Sequence, residues 1–187
     1  MASPKASPNL TPTPAYSTNF RTHLALRSLL FGTTAAAAAA MVTSKQAKSL
    51  HLSITSPPVV IQAKFTHSPA FVYFVAATLV ACVYSLVTAA GSAISLLKSQ
   101  RSTKTLFVFA LLDAVMLGVA ASALGAGASI GYVGEKGNSH AGWSPICGVF
   151  GEFCKHVGAS LVLSMLSSII VVFLVVISIH GLYRRSL

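Results

Sequence analysis

The stretch of sequence that decides the fold is Leu106–Val133, LFVFALLDAVMLGVAASALGAGASIGYV. Asp113 is its one charged residue. A helix of about 20 apolar residues crosses the roughly 30 Å hydrocarbon core of a bilayer, so this stretch is long enough to span a membrane. An acid inside such a span is costly and is rarely left unpaired. Asp113 therefore predicts a cationic partner elsewhere in the membrane.

Three other stretches are similarly apolar, and they cover Leu24–Val42, Ala70–Leu97 and Val157–Tyr183. Arg27, in the first of them, is the only other charged residue within the four stretches. We therefore predict an ion pair between Arg27 and Asp113 that joins the first and third spans. The alternative for Arg27 is that its long side chain reaches the aqueous interface. The predicted fold class is an all-α membrane protein, a four-transmembrane-helix bundle.

The composition agrees with a membrane protein. The chain is 54% hydrophobic and 9% charged, whereas a soluble domain carries about 25% charged residues. The formal net charge of +10 does not indicate a nucleic-acid partner, because almost all Lys and Arg residues lie outside the apolar stretches and flank the membrane. The Ser- and Pro-rich start predicts a disordered cytoplasmic tail over 1–22, followed by the transmembrane domain over 23–183 and a short tail over 184–187.

The distribution of basic residues predicts the orientation. With the N-terminus inside, the cytoplasmic side holds Lys5, Arg21, Lys98, Arg101, Lys104, Arg184 and Arg185, and the outer side holds Lys45, Lys48, Lys64, Lys136 and Lys155. This excess favours a multi-pass protein with both termini in the cytoplasm. The run Ala35–Ala40 also resembles the cleavage region of a secretory signal. Arg27 interrupts the apolar run that precedes Ala35–Ala40. We therefore expect that the first span is not cleaved and remains in the protein.

The first outer loop, Thr43–Pro69, contains a strand pattern. Leu50, Leu52 and Ile54 alternate with polar residues, which is the period of a half-buried strand. Two prolines end the pattern, and a second β-branched run begins at Val59. We therefore expect a short β-hairpin in this extracellular loop.

Two cysteines, Cys147 and Cys154, fall in the second outer loop, taken as Val133–His156. An outer loop faces an oxidising compartment, so we predict a disulfide between them. We expect Trp143, Pro145 and Phe153 to be residues of this extracellular loop. The bridge would hold the following side chains against the mouth of the bundle: Trp143, Pro145 and Phe150. A metal-binding or redox-active pair is the alternative, although the spacing is not the C-x-x-C of catalytic dithiols.

Small residues recur at four-residue spacing in two spans, which lets helix backbones approach closely in lipid. The second span carries Ala77, Ala81, Ser85 and Ala89, and the third carries Gly118, Ser122 and a G-x-x-x-G pair, Gly127 and Gly131. The pattern serves packing within one chain or between protomers, and we favour the former. The sequence offers no catalytic cluster and no metal-ligand cluster, and we expect no cofactor.

These residues together resemble the Casparian strip membrane domain protein-like family, the CASP-like proteins of plants, whose layout is similar to that of MARVEL-domain proteins. The resemblance rests on the arginine of the first span, the aspartate of the third, and the run Trp143-Ser144-Pro145-Ile146-Cys147 followed by Phe153-Cys154. The resemblance covers the chain from about Phe20 onward, except for the first outer loop.

The resemblance implies a non-enzymatic scaffold of the plasma membrane. Members of the family form homo- and hetero-oligomers, and those that build Casparian strips recruit cell-wall-modifying enzymes such as peroxidases. The first outer loop of this chain lacks their acidic, Phe-rich stretch, which favours a relative without a strip-forming role. Two alternatives remain from the residues: a small transporter or channel with Asp113 as a proton or cation site, and a membrane redox enzyme that uses Cys147 and Cys154.

Overall fold

The computed structural model describes residues 14–50, 59–97 and 103–186. Its elements, in chain order, are helix α1 (Pro14–Val42), strands β1 (Lys45–Leu50) and β2 (Val59–Lys64), and helices α2 (Pro69–Leu97), α3 (Thr103–Lys136) and α4 (Gly151–Ser186). Each helix contains a segment long and apolar enough to cross a membrane: Arg21–Val42, Pro69–Ile94, Phe107–Lys136 and Gly151–Arg184. The predicted four-span, all-α architecture is confirmed.

The four helices form a closed ring. Helix α1 packs against α2 and α4, and α3 packs against the same two neighbours. Helices α1 and α3 therefore occupy opposite corners, and a contact between them crosses the interior of the bundle. Large apolar side chains cover the outside, for example Val83, Val87 and Phe173, as expected of surfaces that face lipid.

Two apolar clusters fill the interior. The cluster nearer the hairpin is rich in aromatic residues and contains Met41, Phe71, Phe74, Phe153 and Val157. The cluster at the other end of the bundle is aliphatic and contains Leu30, Ile170, Val171 and Leu174. The two clusters draw on different turns of α1 and α4, and Arg27 lies about one turn before Leu30 on α1.

The hairpin is an antiparallel pair in which Lys45 lies opposite Lys64 and Leu50 lies opposite Val59. This confirms the predicted hairpin, although β1 lies earlier in the chain than the alternating pattern that begins at Leu50. The rest of that pattern falls in 51–58, outside the described residues. The side-chain oxygen of Gln46 accepts a hydrogen bond of 3.1 Å from the backbone N–H of Phe153, which ties the hairpin to the start of α4.

Three helices extend beyond the spans that hydropathy predicts, each for a local reason. Helix α1 begins at Pro14, inside the predicted tail, because the fixed φ and missing N–H of proline are tolerated in the first turn. Helix α3 continues to Lys136 and ends where Gly137 adopts a φ of +73°. Helix α4 begins at Gly151 with an acid in its first turn, where it favours the helix dipole. Cys154 therefore lies in a helix and not in the loop.

Candidate functional site: a buried ionic cluster and a braced outer segment

Arg27 on α1 and Asp113 on α3 meet inside the bundle. The side chain of Arg27 is 2% exposed and that of Asp113 is 0% exposed. Arg27 Nη2 donates to Asp113 Oδ2 at 3.0 Å, and Arg27 Nη1 donates to Asp113 Oδ1 at 3.4 Å. The two bonds run in parallel, which is the strong, geometrically specific form of an arginine–carboxylate pair. Because their helices are at opposite corners, the pair joins elements that otherwise have few contacts.

Helix α2 supplies two further members of this network, Tyr84 and Thr88. Tyr84 Oη donates to Asp113 Oδ1 at 2.6 Å, and Arg27 Nη1 donates to Thr88 Oγ1 at 2.6 Å. The two residues are one helical turn apart and therefore share a face of α2. The Thr88 hydroxyl in turn donates to the Tyr84 carbonyl at 2.8 Å. We call the set Arg27, Tyr84, Thr88 and Asp113 the ionic cluster.

Two aromatic rings enclose the guanidinium group of the cluster. Its central carbon lies 6.0 Å from the centroid of the Tyr84 ring and 5.5 Å from that of Phe109. At such distances the face of an aromatic ring attracts a cation. The Nε atom of Arg27 has no hydrogen-bond partner among the described residues, whereas the two terminal nitrogens donate to Asp113 and Thr88.

The ionic cluster leaves little of the Asp113 carboxylate available to anything else. One oxygen accepts from Arg27 and Tyr84, and the other accepts from Arg27. A cation or proton carrier needs a carboxylate that can exchange partners with water. The geometry therefore suits a permanent tie between helices. Sequence reasoning missed Tyr84 and Thr88, because neither residue type is unusual in a membrane span. Nothing in the sequence shows that they face Arg27 and Asp113.

A second structured region lies between the end of α3 and the start of α4, over residues 137–150. We call it the outer segment, after the orientation that the sequence predicts. Its disulfide joins Cys147 to Cys154 with a Cα–Cα distance of 5.7 Å, as the sequence predicted. The backbone N–H of Ile146 donates to the carbonyl of Gly134 at 2.9 Å, so the segment folds back onto the end of α3. A side chain at Gly137 would have its Cβ 2.6 Å from the Trp143 carbonyl, which explains glycine at this turn.

The three residues predicted for this region do not act as one group. Phe153 is 5% exposed and packs edge-on against Phe71, with ring centroids 6.3 Å apart. Trp143 is 58% exposed, and Pro145 is also exposed. Phe153 is therefore a core residue, whereas Trp143 and Pro145 belong to the surface of the outer segment. Phe150, which we expected beside them, is buried in the aromatic core.

The small residues predicted for helix packing fall into two groups. Ala77, Ala81 and Ser85 are buried in the bundle and Ala89 is partly buried. A Cβ added at Gly127 would lie 3.0 Å from Leu161, and one at Gly131 would lie 3.2 Å from the same residue, so both allow α3 to approach α4. Gly118 and Ser122, in contrast, are exposed. A Cβ at Gly118 would meet nothing within 4 Å.

Metal chemistry receives no support from the part of the chain that the structure describes. Over residues 14–50, 59–97 and 103–186 there is no group of three His, Cys, Asp or Glu residues arranged to hold an ion. Cys147 and Cys154 are joined to each other, so neither thiol is present to act as a ligand.

The fold and the site define a multi-pass membrane protein. It has four membrane-spanning helices, a charge pair buried between opposite helices and a disulfide-braced outer segment. The Casparian strip membrane protein domain matches residues 17–170, and the chain belongs to that family. This confirms the resemblance drawn from Arg27, Asp113 and the tryptophan–cysteine run. No solved structure matches the chain.

Curated relatives of the chain include CASP-like proteins of several plants. The chain is 42% identical to CASP-like protein 1D1 of Populus trichocarpa over 163 residues, which are 87% of this chain and 83% of the relative. It is 44% identical to CASP-like protein 1D1 of Musa acuminata over 169 residues, 89% of this chain and 88% of the relative. With CASP-like protein 1D2 of Glycine max it shares 39% identity over 183 residues, 97% and 93% of the two chains.

Proposed function

We propose that this protein is a non-enzymatic scaffold of the plasma membrane that associates with itself and with related family members. In this role both termini lie in the cytoplasm, and the hairpin and the outer segment face the cell wall. The assembled protein organises a membrane domain and recruits cell-wall-modifying proteins, of which peroxidases are one class.

The observation that carries this proposal is a row of small, exposed residues on α3, of which Ser122 also makes a hydrogen bond with Tyr73 of α2. Ala114, Gly118, Ser122 and Gly125 are all exposed, and we call them the α3 outer face. Neither Gly118 nor Gly125 would bring an added Cβ within 4 Å of another atom. In lipid, helices associate through small residues that allow close backbone approach. A second copy or a related protein is the partner that such a face accommodates.

The ionic cluster supports a scaffold in a different way. It pairs the two charges of the bundle interior with each other. It also connects α1, α2 and α3 through hydrogen bonds. A platform needs a rigid unit, and a buried polar network that links three helices favours one arrangement of them. The transporter alternative gains no specific support, because both Asp113 oxygens are engaged. The redox alternative gains no specific support either, because the disulfide between Cys147 and Cys154 ties the outer segment to the start of α4.

The proposed association is tested by co-precipitation of two differently tagged copies from mild detergent, with an unrelated multi-pass protein as the bystander. We expect the two tagged copies to co-precipitate and the bystander to remain in the unbound fraction. Equal recovery of the bystander, or no recovery of the second copy, contradicts self-association.

The proposed orientation has its own test. A membrane-impermeant amine reagent applied to intact protoplasts should label Lys45 and Lys64. The N-terminal run Asn9-Leu10-Thr11 matches the N-glycosylation sequon, and it should remain unglycosylated because this orientation places it inside. Labelling of these lysines only after permeabilisation would contradict the orientation without bearing on self-association.

A further inference from the structure

We propose that the face of the hairpin bearing Lys45 and Lys64 binds the carboxylate groups of an acidic polysaccharide. The choice of ligand rests on the orientation proposed above, which places the hairpin on the wall side of the membrane. The site itself rests on the register, charge and shape of the hairpin.

The register places two like charges directly opposite each other. Lys45 pairs with Lys64 across the antiparallel strands, and side chains at such positions lie on one face with Cβ atoms about 4.5–5.5 Å apart. Like charges in this arrangement destabilise a strand pair. The same arrangement becomes favourable when an anion lies between the two ammonium groups, since each then donates hydrogen bonds to it.

The described part of the chain supplies no such anion. Its three ion pairs are Arg27–Asp113, Lys136–Glu135 and Lys155–Glu152, so neither hairpin lysine is neutralised by an acid there. The whole connection between α1 and α2, over 43–68, contains no Asp or Glu. No acid of the described chain therefore neutralises Lys45 or Lys64, and both exposed ammonium groups are open to an anion from another molecule.

A cleft of about 170 Å³ lies at this position and is lined by Lys45, Gln46, Ala47, Gln62 and Lys64. Gln62 is two residues from Lys64 and so shares its face of the strand. The side-chain amide of Gln62 adds N–H donors to those of the two lysines. Donors of this kind, converging from two strands, suit a carboxylate.

The size of the cleft limits the contact to one acidic group of a ligand. It is smaller than the roughly 300–1,000 Å³ of pockets that enclose a drug-sized ligand, so it accommodates one acidic group and little of the rest of the molecule. One such contact is weak, but a chain of acidic sugars presents many groups to many protomers. If the protein self-associates, the repeated contacts add through effective concentration.

Both lysines also lie outside the candidate spans, which end at Val42 and resume at Pro69. They project from a sheet that is tied to α4 through Gln46 and Phe153. A lipid phosphate also offers a negative charge at this level, and the proposed orientation, with the hairpin on the wall side, is what favours the polysaccharide. The experiment below separates these two sources.

The test uses the full-length protein in nanodiscs of neutral phosphatidylcholine, with binding of fluorescent polygalacturonate oligomers measured at low and moderate salt. Methyl-esterified oligomers serve as the uncharged control. The test variant is K45Q/K64Q, and the matched control is Lys48→Gln, because Lys48 belongs to the same strand but lies on its other face. We expect the acidic oligomer to bind, the esterified one not to bind, and K45Q/K64Q to weaken binding about tenfold or more. The control variant should retain most of the affinity.

A thermal-stability measurement on the same nanodiscs shows whether the loss reflects unfolding. Because K45Q/K64Q removes a like-charge repulsion, its hairpin should be as stable as that of the natural protein or more so. The inference is overturned if the natural protein does not bind the acidic oligomer. It is also overturned if K45Q/K64Q and Lys48→Gln weaken binding equally, which would indicate diffuse charge.

The lipid source is tested by including phosphatidylserine in the nanodisc lipids and measuring its enrichment around the protein. Enrichment that depends on Lys45 and Lys64, without binding of the acidic oligomer, would overturn the polysaccharide as the ligand. Self-association is measured separately on the same variants, so a failure of this inference is distinguishable from a failure of the scaffold proposal.

Discussion

Arg27 donates two parallel hydrogen bonds to Asp113 at a place where neither ion has access to water. Transferring two charges out of water is expensive, and their attraction repays the cost only with good geometry and with further hydrogen bonds. Tyr84 and Thr88 provide those further bonds. The pair is therefore a weak source of net stability but a strong constraint, since losing one partner leaves the other ion buried and alone.

Replacing the acid should show this asymmetry. Asp113→Asn leaves the guanidinium of Arg27 buried without a counter-ion, and we expect a loss of about 3–5 kcal/mol in the free energy of unfolding. The measurement is denaturation by SDS in mixed micelles. The matched control is Glu135→Gln, which breaks the exposed Lys136–Glu135 pair and should leave stability nearly unchanged. Equal effects of the two changes would contradict a structural role for the ion pair.

Tyr84→Phe tests the contribution of α2 to the cluster. It removes the hydroxyl that donates to Asp113 Oδ1 but keeps the ring beside the guanidinium group. A hydrogen bond to a charged group is worth about 1.5–3 kcal/mol, against about 0.5–1.5 kcal/mol for a neutral one. Tyr73→Phe removes the neutral, exposed contact with Ser122 and is the control. The account fails here if Tyr84→Phe costs no more than Tyr73→Phe in the same denaturation measurement.

The sequence predicts the charged half of this cluster and not the uncharged half. A charge in an apolar span is conspicuous because its transfer cost requires an explanation, so Arg27 and Asp113 point to each other. Tyr84 and Thr88 are ordinary residues in a membrane helix, and their role depends on the rotation of α2 about its axis. Only the packed bundle defines that rotation.

At the scale of elements, helix α3 presents small residues on two opposite faces. Gly118 and Gly127 are nine positions apart, which is two and a half turns of an α-helix with about 3.6 residues per turn. Gly127 and Gly131 therefore face α4 and allow Leu161 to pack closely, whereas Gly118 faces away. A single helix thus carries one face for internal packing and another that remains exposed.

A pair of variants distinguishes these faces in the isolated protein. Gly127→Val introduces a side chain where even a Cβ would lie 3.0 Å from Leu161 and 3.1 Å from Phe74, and we expect a loss of about 1–3 kcal/mol from overpacking. Gly125→Val, where a Cβ meets nothing within 4 Å, should be nearly neutral. The free energy of unfolding of both variants is measured by SDS denaturation, at a protein concentration low enough for the protein to be monomeric. A Gly125 variant as unstable as the Gly127 variant would contradict the packing described for α3.

Hydropathy predicts which segments become helices, but the predicted stretches are shorter than helices α1, α3 and α4. Pro14 and Gly151 begin helices outside the apolar stretches, because helix propagation depends on capping and on neighbouring helices as well as on burial in lipid. The hairpin was predictable from its β-branched second strand, but β1 is rich in Lys and Gln. Its pairing with β2 selects it as a strand, and a local pattern does not report pairing.

At the scale of the whole molecule, the two ends of the bundle are built differently. The end near the hairpin has an aromatic core and a disulfide-braced outer segment. The ionic cluster and an aliphatic core stabilise the other half. The sides carry exposed apolar residues suited to lipid, with the α3 outer face as a strip where side chains are small. This shape suits a rigid unit that contacts other membrane proteins laterally and presents its braced end to one side.

The family relationship and the structure contribute different parts of the functional account. Membership of the Casparian strip membrane protein domain family establishes the kind of protein. The structure contributes the assignment of individual glycines: Gly127 and Gly131 to internal packing, and Gly118 and Gly125 to the α3 outer face. That division makes self-association testable by variants that do not disturb the fold.

The most direct measurement is energy transfer between donor- and acceptor-labelled copies of the full-length protein, followed as the protein is diluted with lipid in vesicles. Gly118→Leu places a bulky side chain on the α3 outer face, and Gly32→Leu is the matched control, since Gly32 is also exposed and a Cβ there meets nothing within 4 Å. We predict that Gly118→Leu loses energy transfer at protein-to-lipid ratios where the natural protein and Gly32→Leu retain it, with unchanged stability. Energy transfer that is lost equally in both variants, or that persists in Gly118→Leu, would contradict the α3 outer face as the association surface. The absence of energy transfer in the natural protein at any dilution would contradict the scaffold itself.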